Sequence, residues 1–201
     1  MQVSQEGDTE VRHTIEARRL AKYKAWPGKL TLLGLVILLG IAPQFSQPAA
    51  GEAPDFKLVN IDGKDVKLSE LLAEGPVILD FWATWCKPCL KAFPGLQEML
   101  DKYEDRGLQV VTISVDGPKS RSRVGPLVRS KKYTFEVLLD TQGRVAQKYN
   151  AVALPRTLLI SPEGEVVFAA VGYRPSNHEQ LENALIPLLP EKAAKNGEPV
   201  E

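Results

Sequence analysis

The sequence predicts an α/β domain in which one mixed β-sheet carries helices on both faces, and three stretches support this. Pro76-Val77-Ile78-Leu79-Asp80-Phe81-Trp82 is apolar apart from a single acid, the composition of a parallel strand buried on both faces. After it, Leu90, Phe93, Leu96, Met99, Leu100 and Tyr103 recur at helical spacing, opposite Lys91, Gln97, Glu98, Asp101 and Lys102. Arg106-Gly107 ends that helix and a second apolar run, Leu108 to Val115, follows. Strand, helix and strand in this order make a parallel crossover, which is right-handed by rule.

Taken from the start, residues 1–29 are polar, with Arg12, Arg18, Arg19, Lys22, Lys24 and Lys29 gathering basic charge ahead of an apolar run. That run, residues 30–45, carries no charge and is about sixteen residues long, against the ~20 of a full membrane span. A signal-peptide core has this length too, but the long preceding segment and the weak small-residue sites at Ala50 and Ala53 favour an uncleaved anchor, with secretion after cleavage as the alternative. The basic flank keeps the N-terminus cytoplasmic and places everything after the run across the membrane. Residues 46–53, rich in Pro, Ala and Gln, read as a tether. The domain itself is expected over 54–190, and 191–201 as a frayed polar tail.

Within the domain, alternating runs on either side of Asp62-Gly63 predict a β-hairpin. Ser69 is expected to cap a short helix through Leu72, and Glu74-Gly75-Pro76 turns into the buried strand. Pro94 lies inside the amphipathic helix and predicts a kink that would set its first turn apart. Residues 118–132 hold six basic side chains, but the whole chain balances 25 basic against 25 acidic residues, so they read as a solvated face and not as a nucleic-acid site. Phe135 to Asp140 is a strand, Arg144 to Tyr149 a short helix, and Leu158 to Ser161 and Val166 to Val171 a hairpin around Pro162-Glu163-Gly164. Ser176 or Asn177 is expected to cap the last helix, through Leu181, Leu185 and Leu188.

The chemistry lies in Trp82-Ala83-Thr84-Trp85-Cys86-Lys87-Pro88-Cys89, which holds both cysteines of the chain. Two intervening residues let the sulfurs close a small ring or stand as two thiols on the first turn of a helix, an arrangement suited to thiol–disulfide exchange. A free thiol with pKa near ~8.5 is a poor nucleophile at neutral pH, and a helix N-terminus or a neighbouring cation lowers that value. Cys86 is expected at such a terminus with Lys87 beside it, and Pro88 fits the first turn, where its missing N–H costs nothing. Cys86 is therefore read as the attacking thiol and Cys89 as the resolving one, with Trp82 and Trp85 walling the site. Two plainer readings compete. Zinc needs four ligands, and the two histidines, His13 and His178, lie far off without paired spacing. A purely structural bridge over so short a loop would constrain the unfolded chain little.

The stretch Val77 to Cys89 resembles the active-site strand and helix of the thioredoxin superfamily, most closely its membrane-tethered TlpA/ResA/CcmG-like branch of redoxin domains. The resemblance spans about residues 53 to 190, and the extra strand and helix over Phe135 to Tyr149 is similar to the insertion that marks this branch. It implies a thioredoxin fold and a redox-active Cys86–Cys89 disulfide in place of any cofactor or metal. It further implies that Pro155, which physical chemistry alone would leave trans, is cis and lies beside the disulfide, with Leu154 offering backbone groups to a substrate chain. Trp82, Trp85, Lys87, Pro88, Leu154 and Pro155 are thus the expected substrate-facing residues.

Asp80 is an acid within an apolar strand, so its charged form is disfavoured and its pKa raised. It matches the buried acid of thioredoxin and is expected to take the proton of Cys89 through water, although Thr112 stands where the resemblance would place a companion lysine; a buried acid satisfied for structure alone is the competing reading. The function expected is an extracytoplasmic reductant of protein disulfides, such as haem-site cysteines of apocytochrome c or metal-site cysteines, supplied by a membrane electron donor. The alternatives are an oxidant that forms disulfides, or a peroxiredoxin-like peroxidase, against which the Trp-Cys-x-x-Cys pattern argues.

Overall fold

The computed structural model describes residues 51–191. The expected anchor at 30–45 and most of the polar tail lie outside the described residues, among which no helix is long and apolar enough to cross a membrane. Seven strands are described: β1 (Lys57–Asn60), β2 (Asp65–Lys67), β3 (Val77–Trp82), β4 (Gln109–Ser114), β5 (Glu136–Leu139), β6 (Arg156–Ile160) and β7 (Val166–Val171). The helices are α1 (Leu68–Leu72), α2 (Lys87–Tyr103), α3 (Val124–Ser130), α4 (Arg144–Lys148) and α5 (Pro175–Leu185).

One mixed sheet runs in the order β2-β1-β5-β4-β3-β6-β7. Its centre, β5, β4 and β3, is parallel, as the two crossovers through α2 and α3 require. Both flanks are antiparallel, β1 against β5 and β6 against β3. All six residues of β3 are buried, which explains its run of uninterrupted apolarity. Alternation splits them between two cores. Ile78 and Trp82 join Phe93, Leu96, Val124, Leu159, Leu181 and Leu185 beneath α2, α3 and α5. Val77, Leu79 and Phe81 join Phe56, Leu68, Val145, Tyr149 and Leu158 beneath α1 and α4. Each such side chain, fully buried, contributes ~1.5–3 kcal/mol.

Several local expectations are corrected. Neither Ser69 nor Asn177 is a cap: Lys67 and Arg174 occupy those positions without a side-chain capping bond. Instead Asp55, far back in sequence, accepts from the Ser69 amide at 3.1 Å, and Asn177 donates through Nδ2 to the Gly172 carbonyl at 2.9 Å. α2 is one continuous helix through Pro94, so its first turn is not a separate pedestal. Gly95, next to that proline, is where the imidazole of His178 from α5 seats; a Cβ there would collide with the ring. The basic segment becomes a 3-10 turn, Arg121–Arg123, and α3, with Arg129 paired to Asp62 of the hairpin turn at 2.9 Å. Packing also begins slightly before residue 54, since Glu52 bridges Glu165 and the Ala53 amide donates to the Gly164 carbonyl at 2.8 Å. At the other end, Arg106 donates to the Pro190 carbonyl at 2.9 Å. Chain entry and chain exit therefore both lie at the end of the sheet where β3 and β4 begin, since Val77 is in register with Ile160 and with Gln109.

Candidate active site

β3 ends at Trp82 and hands the chain to a short loop, after which Cys86 takes the N-cap position of α2 with extended backbone (φ −85°, ψ 91°). Pro88 occupies the first turn, as its missing N–H allows. The Cys86 sulfur accepts from the Cys89 amide at 3.3 Å, one of the N–H groups that a helix start leaves without an intrahelical partner. Here the two cysteines are joined as a disulfide, their Cα atoms 5.3 Å apart. On reduction the same amide and the positive end of the helix favour a thiolate at Cys86. Cys89 is fully buried whereas Cys86 retains 5% exposure, so of the pair only Cys86 reaches the surface.

The loop is held by a residue that sequence reasoning did not single out. Asp116, just beyond β4 and 1% exposed, accepts from the Thr84 amide at 2.7 Å, from the Thr84 hydroxyl at 2.7 Å and from the Ser114 hydroxyl at 2.9 Å. A carboxylate accepting three such bonds fixes the backbone two residues before Cys86. A lone acid after a strand carries no local signal of this role.

Trp85, Cys86, Lys87, Pro88 and Leu154 line one open groove of about 650 Å³ together with Val115, Ala146, Ala151 and Val152. Its only charged lining residue is Lys87. Trp85 stands 68% exposed on one side and Val152 88% on the other. The Leu154–Pro155 peptide bond is cis. Pro155 is buried and lines a separate cavity with Ala92, Leu96 and Thr157. Trp82 is corrected: it is wholly buried and packs edge-on to Phe93, ring centres 4.8 Å apart, so it supports the site from within and touches no substrate. Phe93 continues into Tyr133 and Phe135, an aromatic cluster beneath the cysteine-bearing turn.

Asp80 faces the same core as Cys89, through the alternation of β3. Its register partners are Thr112 on β4 and Thr157 on β6. Thr157 donates to Oδ1 at 2.6 Å, and Oδ2 is buried without a hydrogen-bond partner. Burial pushes the carboxyl up to about 7, with the Thr157 bond pulling partly back. An acid poised near neutrality on the side of β3 that faces the core of Cys89 is suited to exchanging a proton with a buried thiol.

A sequence model described as the AhpC/TSA family matches residues 49–169, a span that contains the cysteine pair, Asp80 and Pro155. The chain belongs to the AhpC/TSA family. Among relatives in that family, the thiol-disulfide oxidoreductase ResA of Bacillus subtilis (strain 168) is 36% identical over 148 residues, 70% of this chain and 81% of the relative. The ResA of Geobacillus kaustophilus (strain HTA426) is 34% identical over 138 residues, 68% of this chain and 78% of the relative. Of solved structures, a Chlorobium tepidum protein designated thiol:disulfide interchange protein DsbE superposes with a TM-score of 0.64 at 34% identity, covering 70% of this chain and 96% of the other. StoA of Bacillus subtilis superposes at 0.55 with 26% identity, covering 66% and 96%. The fold is thioredoxin-like, and the chain is a thiol-disulfide oxidoreductase of the ResA/DsbE type.

Proposed function

We propose that this oxidoreductase reduces disulfides in partner proteins on the extracytoplasmic side of a membrane, held there by residues 30–45 and re-reduced by a membrane electron donor. The observation that carries the reading is the placement of Cys86 at the head of α2 on the rim of an apolar groove, with Cys89 sealed beneath it. The basic flank ahead of residue 30 supports the orientation. Haem-site cysteines of apocytochrome c and metal-site cysteines are the partner classes expected.

The Cys86 thiolate attacks one sulfur of a partner disulfide, whose other sulfur leaves with the bonding electron pair. Cys89 then gives up its proton, its sulfur attacks Cys86 Sγ, and the first partner sulfur leaves as the Cys86–Cys89 bond closes. Two electrons pass from the dithiol to the partner. Asp80 is the base for the second step. Trapping tests the reading: full-length Cys89→Ser in its own cell is expected to hold partners through Cys86 as mixed disulfides, identifiable by mass spectrometry and absent from Cys86→Ser. Recovery of no extracytoplasmic partner would overturn it. Equilibration against glutathione then separates a reductant from an oxidant.

A further inference from the structure

We propose that Thr157 is a positioning residue for proton transfer from Cys89: its hydroxyl anchors one oxygen of Asp80, leaves the other free as the base, and links the carboxylate to a water-sized cavity. This rests on the reading of Cys89 as the resolving thiol.

Asp80 is flanked across both neighbouring strands by threonines, and the two behave differently. The Thr112 hydroxyl turns away and donates to the Glu136 carbonyl at 3.4 Å. The Thr157 hydroxyl donates to Asp80 Oδ1 at 2.6 Å, the short separation of a bond to a charged acceptor. A carboxyl kept only for structure would be bonded at both oxygens, because each unsatisfied one costs stability when buried. Here Oδ2 is left with no partner. The bond to Oδ1 restrains the carboxyl's rotation and leaves Oδ2, unbonded, in the interior on the side of β3 where Cys89 is buried.

Thr157 also borders a cavity enclosed by Ala92 and Leu96 of α2, Pro155, and Asn177, His178 and Leu181 of α5. Its volume, about 10 Å³, is of the size that admits one water molecule. Thr157 thus both bonds Asp80 and borders the cavity, which Pro155 also lines. Across the neighbouring strands Asp80 meets Thr112 of β4 and Thr157 of β6, and α2 brings the titratable Cys89 into the core on the same side of β3. Beyond Thr157, α5 lines the cavity with Asn177 and with His178, whose imidazolium is disfavoured by burial and favoured by Glu98. Burial and the Thr157 bond act on the charge of Asp80, with no ion pair contributing.

The step balances as follows. The Cys89 proton moves to Asp80 Oδ2, the Cys89 sulfur bonds to Cys86 Sγ, and the partner sulfur leaves with its electron pair. When Cys89 later leaves as a thiolate during re-reduction, the proton returns.

The test uses the reduced full chain and dithio-bis-nitrobenzoate, whose first coloured thiol reports attack by Cys86 and whose second reports resolution by Cys89. Thr157→Val is expected to slow the second release at neutral pH by roughly tenfold or more and to move its pH profile upward, since the carboxylate loses a bond to its charged form. The first release is expected to be unchanged, and Thr157→Ser to restore both rate and profile. In an Asp80→Asn background, Thr157→Val is expected to add nothing. An unshifted profile in Thr157→Val overturns the proposal. So does an equal shift in His178→Gln, which would identify the imidazole as the titrating group. Should Thr157→Val not fold, Thr157→Ala takes its place with the same expectations. If Cys89→Ser released both thiols as fast as wild type, the resolving role itself would fall, an outcome distinct from an unshifted Thr157 profile.

Discussion

The charge of Asp80 ties the stability of the fold to pH. Its folded pKa of about 7 lies above the ordinary value of 3.8, so between these values the native state holds a proton that the unfolded chain has released. The stability this group contributes is full below the unfolded value, falls as pH rises, and is lost once pH passes through the folded value. Asp80→Asn keeps an acceptor for Thr157 without a charge to bury. The variant is expected to gain on wild type by on the order of 3 kcal/mol between about pH 4.5 and about pH 8, read by calorimetry on the oxidised protein. A constant difference across that range would mean the carboxyl does not titrate there. At the same scale, the burial of Trp82 shows why its orientation was not legible: Trp82 and Trp85 are equally aromatic neighbours of the cysteines. One belongs to the all-buried strand and the other to the loop beyond it.

At the level of elements, the reactive turn is secured from a neighbouring strand. Asp116→Ala would leave the Thr84 amide and two hydroxyls without their acceptor, and is expected to cost ~2–4 kcal/mol in urea unfolding. Thr84→Val removes one bond only and should cost ~1–2 kcal/mol. Equal losses from the two would show that Asp116 acts elsewhere. The joint between β3 and β4 depends likewise on Gly75, at φ +153°, where a Cβ would strike the Gly107 carbonyl. The crossover through α2, the Asp62-Gly63 hairpin and Cys86 at a helix start were legible because each signal lies within a few consecutive residues. The caps were not: Asp55 serves Ser69 from 14 residues away, and Asp116 serves Thr84 from 32. A side-chain oxygen next to a helix start suggests a local cap, and only the tertiary fold reveals that a distant carboxylate has taken the position.

For the whole molecule, the direction of electron flow is a property of the folding equilibrium. The reduction potential of Cys86–Cys89 follows from how much more stable the folded domain is with the bridge closed than open, because the unfolded chain gains little from so short a loop. Acting as a reductant, the oxidised chain is expected to melt at a higher temperature than the dithiol; the reverse order would mark an oxidant. The seven-stranded sheet as a whole was legible as a mixed α/β layer, since buried parallel strands and alternating flanking strands differ in composition. That β1 joins β5, and not β3, was not, because hairpin patterning specifies a partner within the hairpin and none beyond it.

The positions of Ala53 beside Gly164 and of Pro190 beside Arg106 put both connections to the rest of the polypeptide at one pole, with Cys86 at the other, roughly a strand's length or ~20 Å away. If the proposed anchor at 30–45 holds the domain, a tether joined at that pole leaves the reactive sulfur at the far end, and lengthening the tether is expected to widen the reach of Cys86 without altering the bond that is exchanged.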